Sequence, residues 1–135
     1  MAGKNFNLDI VTPTKVVYSG EVQSFSAPGV DGGFQVLFNH APLLSSIAVG
    51  TLKITDAVGR ETRYATSGGF VEVNKNKVVM LAETVERSDE IDIRRAEEAK
   101  ARAVEHLHRE EEVDEDRARA ALARAINRLK NAHIS

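Results

Sequence analysis

Apolar and polar residues alternate along the first eighty-odd positions of the chain. Phe6, Leu8 and Ile10 are separated by polar neighbours, the period of two expected of a strand with one buried face. Further short runs rich in β-branched and aromatic residues follow at 15–18, 21–26, 33–38, 51–55, 61–65, 70–73 and 77–82. Because turn residues separate these runs and no helical period interrupts them, the pattern predicts an all-β N-terminal domain. Such a pattern is typical of an antiparallel sandwich or barrel, and we expect an antiparallel β-sandwich of about ten strands.

Glycine and proline mark the predicted turns between these strands. Breaks are predicted at Ser19-Gly20 and at Pro28-Gly29. The segments 31–33 (DGG) and 67–69 (SGG) resemble phosphate-binding loops, but neither is followed by the Lys-Ser/Thr pair of a P-loop. We therefore interpret both as hairpin turns whose glycines take a positive φ.

The last fifty residues change to a helical period. Small apolar residues recur every three or four positions, in one stripe at Ala96, Ala99, Ala103 and Leu107 and a second at Ala118, Ala121/Leu122, Ala125/Ile126 and Leu129. The pattern predicts two helices of roughly 20 and 17 residues, joined by an acidic link around 109–116 into a C-terminal α-helical hairpin. Since alanine buries little apolar area, we expect a movable arm that depends on the sheet, a ligand or a partner. The predicted domains are 1–86 and 87–135.

Composition supports this division. The chain has 135 residues, no Cys and a formal net charge of −2. The absence of Cys excludes a disulfide scaffold and a Cys-ligated zinc site. Every Gly, Pro and aromatic residue lies between positions 3 and 70. The longest apolar run, 78–82, is far shorter than the roughly 20 residues of a membrane-spanning helix, and no targeting segment is evident.

Charge is sorted along the hairpin. Residues 106–116 carry six acids and one Arg, whereas 117–135 contain no acid. The five basic residues of that acid-free tract are Arg117, Arg119, Arg124, Arg128 and Lys130. Two interpretations stay open: cations that favour a helix C-terminus, or a contact to an acidic protein surface.

Other binding chemistries find little support. The acid-free tract has no aromatic residue for base stacking, which argues against nucleic acid. His106 and His108 are two positions apart on a helix and do not face each other, so no metal site is predicted. His40 is interpreted as a loop residue held by local hydrogen bonds. No catalytic residue is predicted.

Several segments, in their order and spacing, resemble the epsilon subunit of the bacterial F-type ATP synthase. They are 9–13 (DIVTP), 40–44 (HAPLL), 67–73 (SGGFVEV) and 79–82 (VMLA), followed by the Ala/Arg/Glu-rich tail. The resemblance covers essentially the whole chain. It implies a non-catalytic central-stalk subunit that couples proton-driven rotation to ATP synthesis. It also implies a peripheral location on the cytoplasmic face of the cell membrane, reached only through the complex.

The resemblance further implies specific partners. The sandwich would bind the gamma subunit and the c-ring, and the hairpin would fold against the sandwich or extend toward the alpha and beta subunits. Extended, it would bring Arg117, Arg119, Arg124, Arg128 and Lys130 to an acidic loop of beta and block ATP hydrolysis. Phe38 and His40 would contact the rotor ring. That loop, 33–40 (GFQVLFNH), lacks the acid and the Pro-Gly turn of the family pattern acidic-Leu-Gly-Ile-Leu-Pro-Gly-His.

Some family members bind ATP on the folded hairpin, as a regulatory ligand and not as a required cofactor. Their signature Ile/Leu-Asp-x-x-Arg-Ala matches 91–96 (IDIRRA). By resemblance the ATP-binding residues are Glu86, Ile91, Asp92, Arg95, Ala96, Arg102, Arg124 and Arg128. An ordinary i,i+3 ion pair between Asp92 and Arg95 is the structural alternative. Two other functions stay open, a free-standing ATP-sensing module and an adaptor that binds an acidic protein.

Overall fold

The computed structural model describes residues 4–108 and 115–134, with the side chains of 4–105 and 117–132. The strands are β1 Phe6–Val11, β2 Val16–Gly29, β3 Gly32–Val36, β4 Leu43–Ile47, β5 Gly50–Asp56, β6 Glu61–Thr66, β7 Gly69–Asn74, β8 Lys77–Ala82 and β9 Val85–Arg87. A short 3-10 turn, Ser88–Glu90, precedes helices α1, Ile93–His108, and α2, Glu115–Ile134. The predicted β-sandwich followed by a helical hairpin is confirmed. The predicted link at 109–116 lies mostly outside the described residues.

Strand β2 connects the two layers of the sandwich. Its first half pairs with β1, and its second half pairs with β5 on one edge and β3 on the other. The remaining strands complete the order β1-β8-β7-β4-β2-β5-β6-β9. The breaks predicted at Ser19-Gly20 and Pro28-Gly29 are therefore wrong, because ladder pairing with β1 at the first and with β3 at the second overrides the local turn signals.

The hairpin turn predicted around 31–33 is present between β2 and β3. Val30 and Asp31 connect the two strands, and Gly32 follows with a φ of 131°. Gly33 is already paired with Pro28 in the ladder and has no positive φ. Gly68 has a φ of 108°, as expected, but it connects β6 to β7, which are not neighbours in the sheet. The Ser67-Gly68-Gly69 segment is thus a crossover, and its prediction as a hairpin turn is wrong.

Two features of the sheet were not predicted. Strands β1 and β8 run parallel, with Asn7 opposite Lys77 and Val11 opposite Leu81, so the sandwich is not wholly antiparallel. Strands β4 and β9 have no sequence signal, because β4 is rich in Ser and β9 has only three residues. The described residues form nine strands.

One continuous apolar core fills the sandwich. Phe6, Leu8 and Ile10 are buried, as their alternation predicts. The largest other fully buried apolar side chains are Val22, Phe25, Val36, Leu52, Ile54, Val71, Val73, Val78 and Met80. Burial also raises the pKa of Tyr64, while nearby Arg87 opposes that shift. Tyr64 is therefore neutral at physiological pH.

The hairpin is folded against the sandwich. Helix α2 contacts β5, β6 and the 3-10 turn, and the Ala stripes are buried at Ala96, Ala103, Ala118 and Ala125. The described parts of the helices have 16 and 20 residues, against roughly 20 and 17 predicted, and their ends at 108 and 115 border residues outside the description. Helix α1 begins at Ile93. Asp92 caps that helix, its Oδ1 accepting a hydrogen bond of 3.1 Å from the backbone N–H of Arg95. Within the described part of the chain, no helix is long and apolar enough to cross a membrane.

Candidate functional site

A cleft of about 440 Å³ lies between the hairpin and the sheet. Its walls are formed largely by short side chains of both helices, namely Ala99, Ala103, Ala121 and Ala125. The polar lining residues are Thr66, Ser67, Thr84, Glu86, Arg102, Arg124, Asn127 and Arg128. Because alanine does not fill the space between two packed helices and a sheet, the small-residue stripes leave room for a ligand here.

Glu86 and Arg128 form the polar centre of this cleft. Arg128 Nη2 donates a hydrogen bond of 3.0 Å to Glu86 Oε2. Arg128 Nε lies 2.7 Å from Glu86 Oε1, but it is buried and not aligned as a hydrogen-bond donor. The pair therefore joins α2 to β9 and leaves a buried guanidinium N–H without a hydrogen bond.

The cleft carries an excess of positive charge. Arg102 from α1 and Arg124 and Arg128 from α2 face a single lining carboxylate, that of Glu86. Guanidinium groups bind phosphate oxygens through paired, charge-assisted hydrogen bonds. Three guanidinium groups beside the apolar alanine surface of the cleft, its floor, are complementary to a ligand that carries a polyphosphate and a flat, less polar group.

Half of the predicted ATP-binding residues line this cleft. The structure brings together Glu86, Arg102, Arg124 and Arg128 from three separate elements. The other half belong to the 91–96 motif and contribute to the folded hairpin in another way. Ile91 and Ala96 are buried against Ala65 of β6, beside Leu129 and Ala132 of α2.

The polar residues of the motif also lie outside the cleft lining. Asp92 and Arg95 are exposed, and the contact between them is the helix cap described above, in place of the side-chain ion pair considered from the sequence. In this conformation the motif therefore fixes how α1 begins and how it packs on β6.

The basic tract divides between two faces of α2. Arg124 and Arg128, one helical turn apart, are half-buried at the cleft. Arg117 is exposed two turns before Arg124 on the same side of the helix, whereas Arg119 and Lys130 are exposed on the opposite side. The five residues predicted to contact an acidic partner therefore do not form one surface while the hairpin is folded.

Sequence reasoning missed two asparagines on α2. Asn127 Nδ2 donates to Gly50 O at 2.8 Å, and Asn131 is fully buried. Asn131 accepts hydrogen bonds from Thr51 Oγ1 of β5 and Ser88 Oγ of the 3-10 turn. The available signal was a pair of Asn residues at i,i+4 within a helix otherwise rich in Ala and Arg.

The predicted rotor-contact residues lie on the loop after β3. Phe38 and its neighbour Leu37 are exposed, and Asn39 follows with a φ of 62°. Asn76 holds this turn, accepting from Asn39 N at 2.6 Å and donating to Asn39 Oδ1 at 2.9 Å. Asn39 thus stands at the glycine position of the family pattern and adopts a left-handed conformation that glycine takes readily.

The local hydrogen bonds predicted for His40 are present. Its Nδ1 lies 2.7 Å from Ala41 O, and its backbone N–H donates to Leu37 O. No group of acids and histidines suited to a metal ion occurs among the described residues, and the side chains of His106 and His108 lie outside them.

An apolar row crosses the outer face of one layer. Cross-strand register places Val16, Val11, Leu81 and Phe70 side by side on β2, β1, β8 and β7. Val16, Leu81 and Phe70 are exposed. An exposed apolar row of this kind is typical of a protein–protein contact.

Comparison with known proteins identifies the class of protein. The ATP synthase delta/epsilon chain beta-sandwich domain matches residues 5–88, and the delta/epsilon chain long alpha-helix domain matches 89–132. The ATP synthase epsilon chain of Desulforamulus reducens is 48% identical over 104 residues, covering 77% of this chain and 78% of the relative. That of Syntrophomonas wolfei is 44% identical over 107 residues, covering 79% and 78%.

Solved structures show the same fold at lower identity. A chain of the Euglena gracilis mitochondrial ATP synthase (OSCP/F1/c-ring) superposes with a TM-score of 0.82 at 20% identity, covering all of this chain and 84% of that one. A chain of the Tetrahymena thermophila mitochondrial ATP synthase (central stalk/c-ring) has a TM-score of 0.67 at 15% identity, covering 93% and 95%.

A β-sandwich joined to a helical hairpin is thus the two-domain plan of ATP synthase delta/epsilon chains. The chain belongs to the delta/epsilon chain family of ATP synthase, with epsilon chains as its curated relatives. It is a non-catalytic subunit, as the resemblance implied. The two matched regions meet between residues 88 and 89. The domain boundary after residue 86 stays a prediction.

Proposed function

We propose that this subunit senses ATP through its folded hairpin and restrains ATP hydrolysis when the hairpin extends. The observation that carries the proposal is the cleft in which Arg102, Arg124 and Arg128 converge from both helices over an alanine floor. Because the cleft exists only while both helices lie against β6, a ligand bound there favours the folded state. A free-standing ATP sensor is disfavoured, since the family consists of ATP synthase chains.

Arg124 and Arg128 take part in both the folded and the extended state of the hairpin. In the folded hairpin they line the cleft, beside Glu86 on β9. In the extended hairpin the same side chains, with Arg117, Arg119 and Lys130, would face an acidic surface of a beta subunit. Nucleotide and beta subunit therefore compete for two of the same guanidinium groups, so ATP opposes inhibition. ATP can shift the hairpin only by its differential affinity for the folded state.

ATP titration of the full-length chain tests the nucleotide site. The chain has no native Cys, so a label pair at Val58→Cys and Ala120→Cys reports the distance from the β5–β6 turn to α2. We expect millimolar ATP, with or without Mg²⁺, to increase the folded fraction saturably. We also expect it to raise the thermal unfolding midpoint, because a ligand that binds only the folded state stabilises it.

Inorganic triphosphate and GTP serve as ligand controls for this titration. A response to ATP but not to triphosphate indicates that the apolar floor contacts the base, whereas equal responses indicate phosphate recognition alone. The absence of saturable binding at millimolar ATP would remove the nucleotide site from the proposal.

The sandwich is proposed to attach the subunit to the gamma subunit and the c-ring. Two exposed features support this assignment: the apolar row that includes Leu81 and Phe70, and the loop tip with Leu37 and Phe38 next to His40. Covering exposed apolar side chains with a partner surface removes them from water and so favours association. Transmission of proton-driven rotation, and a location on the cytoplasmic face of the membrane through the complex, follow from this attachment.

The exposed face of α2 provides a separate test of inhibition. Replacing Arg119 and Lys130 by alanine removes two charges that do not line the cleft. In the assembled ATP synthase we expect hydrolysis to rise severalfold at low ATP, because contact with an acidic surface loses two cationic partners. Steady-state hydrolysis rates measure the effect.

Removal of the exposed cations Arg94 and Lys100 from α1 is the matched control, and it should leave hydrolysis unchanged. Equal inhibition in the wild type and in the Arg119→Ala/Lys130→Ala variant would show that this face of α2 is not the inhibitory contact.

A further inference from the structure

Asn131 has every hydrogen-bonding position of its side-chain amide occupied. Its Oδ1 accepts from Thr51 Oγ1 at 3.1 Å and from Ser88 Oγ at 3.3 Å. Its Nδ2 donates to the backbone oxygen of Asn127 at 2.9 Å and to Asn127 Oδ1 at 3.2 Å. An amide offers two acceptor positions and two donor hydrogens, so the side chain is fully satisfied. Since the Asn127 carbonyl can only accept, it also determines which way the amide points.

Asn127 extends the same network to the edge of the sandwich. Its Nδ2 donates to Gly50 O at 2.8 Å and approaches Thr66 O at 3.5 Å. Gly50 and Thr66 are paired residues at one end of the β5–β6 ladder. One turn of α2 is therefore hydrogen-bonded to β5, β6 and the 3-10 turn through two side chains.

This network adds a buried polar contact to the apolar packing of Leu129 and Ala132 against Ala65 of β6. A buried amide stabilises its site only when all its partners are in place, because a group left unpaired in the interior is costly. When the whole contact separates, however, each group can bond to water instead. Such a contact strongly disfavours partial displacement of the helix but permits complete release, which is the behaviour of a two-state latch.

The network is also adjacent to the cleft. Asn127 lines the cleft and directly precedes Arg128, and Arg124 lies on the same face about one turn earlier. Displacement of this turn of α2 from Gly50 would therefore shift Arg128 relative to Glu86 and Arg124 relative to the cleft.

We propose that Asn127 and Asn131 form a latch that holds α2 on the sandwich and positions Arg124 and Arg128 for the ligand, and that hairpin release is the concerted breaking of this latch. The two asparagines are positioning residues and do not contact the ligand's phosphates. The inference rests on the proposed hairpin movement and ATP site, and it names what controls them.

Asn131→Asp tests the latch in the full-length chain. The substitution keeps the shape and the acceptor for Thr51 and Ser88, but it places a carboxylate oxygen against the Asn127 carbonyl. Using the label pair at Val58→Cys and Ala120→Cys, we expect the open-to-folded ratio without ATP to rise about tenfold or more. Ala123→Asp is the matched control, because it adds the same charge at an exposed position of α2. It should leave the ratio within twofold of wild type.

ATP titration of the Asn131→Asp variant distinguishes a positioning role of Asn131 from direct contact with the ligand. If wild type responds to ATP, Asn131→Asp should need more ATP for half-maximal closure, up to about tenfold more where the open state predominates without ATP. It should reach the same folded fraction at saturation, since all three arginines are intact. An unchanged hairpin ratio in Asn131→Asp, or equal opening by Ala123→Asp, would overturn the latch. A saturating closure below that of wild type would likewise overturn the positioning role.

The two proposals fail in distinguishable ways. No ATP response in wild type contradicts the nucleotide site, while the ratio measured without ATP still decides the latch. A normal ATP response in wild type combined with an unchanged ratio in Asn131→Asp contradicts the latch and leaves the nucleotide site standing.

Discussion

Simultaneous replacement of Arg124 and Arg128 by alanine is expected to weaken ATP binding by about 100-fold or more. Each guanidinium lost removes charge-assisted hydrogen bonds worth roughly 1.5–3 kcal/mol, and tenfold in affinity corresponds to about 1.4 kcal/mol. Loss of Arg128 also leaves Glu86 unpaired in the cleft, which adds repulsion toward phosphate. Calorimetric titration of the full-length chain with ATP measures the change.

The matched control for this experiment is the Arg119→Ala/Lys130→Ala variant. It removes the same charge from the same helix, but from residues that do not line the cleft. We expect its ATP affinity to stay within about threefold of wild type, because exposed charges acting at a distance are screened by salt. If both double variants weakened binding equally, the general positive field of α2 would account for the affinity and the cleft would not.

The second large effect concerns the sandwich core. We expect Phe25→Ala to lower the free energy of unfolding by about 3–5 kcal/mol, because a fully buried aromatic ring is replaced by a cavity. Phe25 lies on β2 where β3 and β5 pair on opposite edges, so neighbouring strands cannot readily close around the space. Urea denaturation followed by tyrosine emission measures this loss, since both tyrosines, Tyr18 and Tyr64, are in the sandwich.

Phe70→Ala provides the same chemical change on the outer face. Phe70 is 41% exposed, so its truncation should cost less than about 1 kcal/mol of stability. Instead it should weaken co-assembly with gamma, if the apolar row is the docking surface. Equal stability losses for the two variants would contradict the assignment of Phe25 to the core.

Local periodicity was sufficient to predict the two-domain plan. The alternation at Phe6, Leu8 and Ile10 and the Ala stripes both report which face of an element is buried, and burial follows those patterns closely. The path of the chain between these elements was harder to predict from the sequence. Gly20 lies in the ladder opposite Leu8, and Pro28 lies opposite Gly33, because long-range pairing outweighs the turn preference of either residue.

The candidate site shows the same distinction between local and long-range information. Glu86, Arg102, Arg124 and Arg128 were assembled from the resemblance alone, and the structure explains their proximity through the folded hairpin. The 91–96 motif has a local reason for its residue types, since Asp92 caps a helix and Ala96 packs tightly.

Asn131 could not be assigned from the sequence. An asparagine in an exposed helix and one buried against a sheet look alike until the partners at Thr51 and Ser88 are known. Its role depends on contacts between residues far apart in the chain, which neither propensity nor periodicity reports.

The parallel pairing of β1 with β8 imposes an order of events during synthesis. Residue 7 cannot complete its ladder until residue 77 has left the ribosome, so β1 has only its β2 neighbour until then. Sheets closed by such distant pairs form slowly compared with local hairpins. Asn131 emerges later still and needs the finished β5–β6 edge as its docking surface. The sandwich can therefore be complete before the helical hairpin engages it, so the two parts of the chain reach their folded contacts in a fixed order.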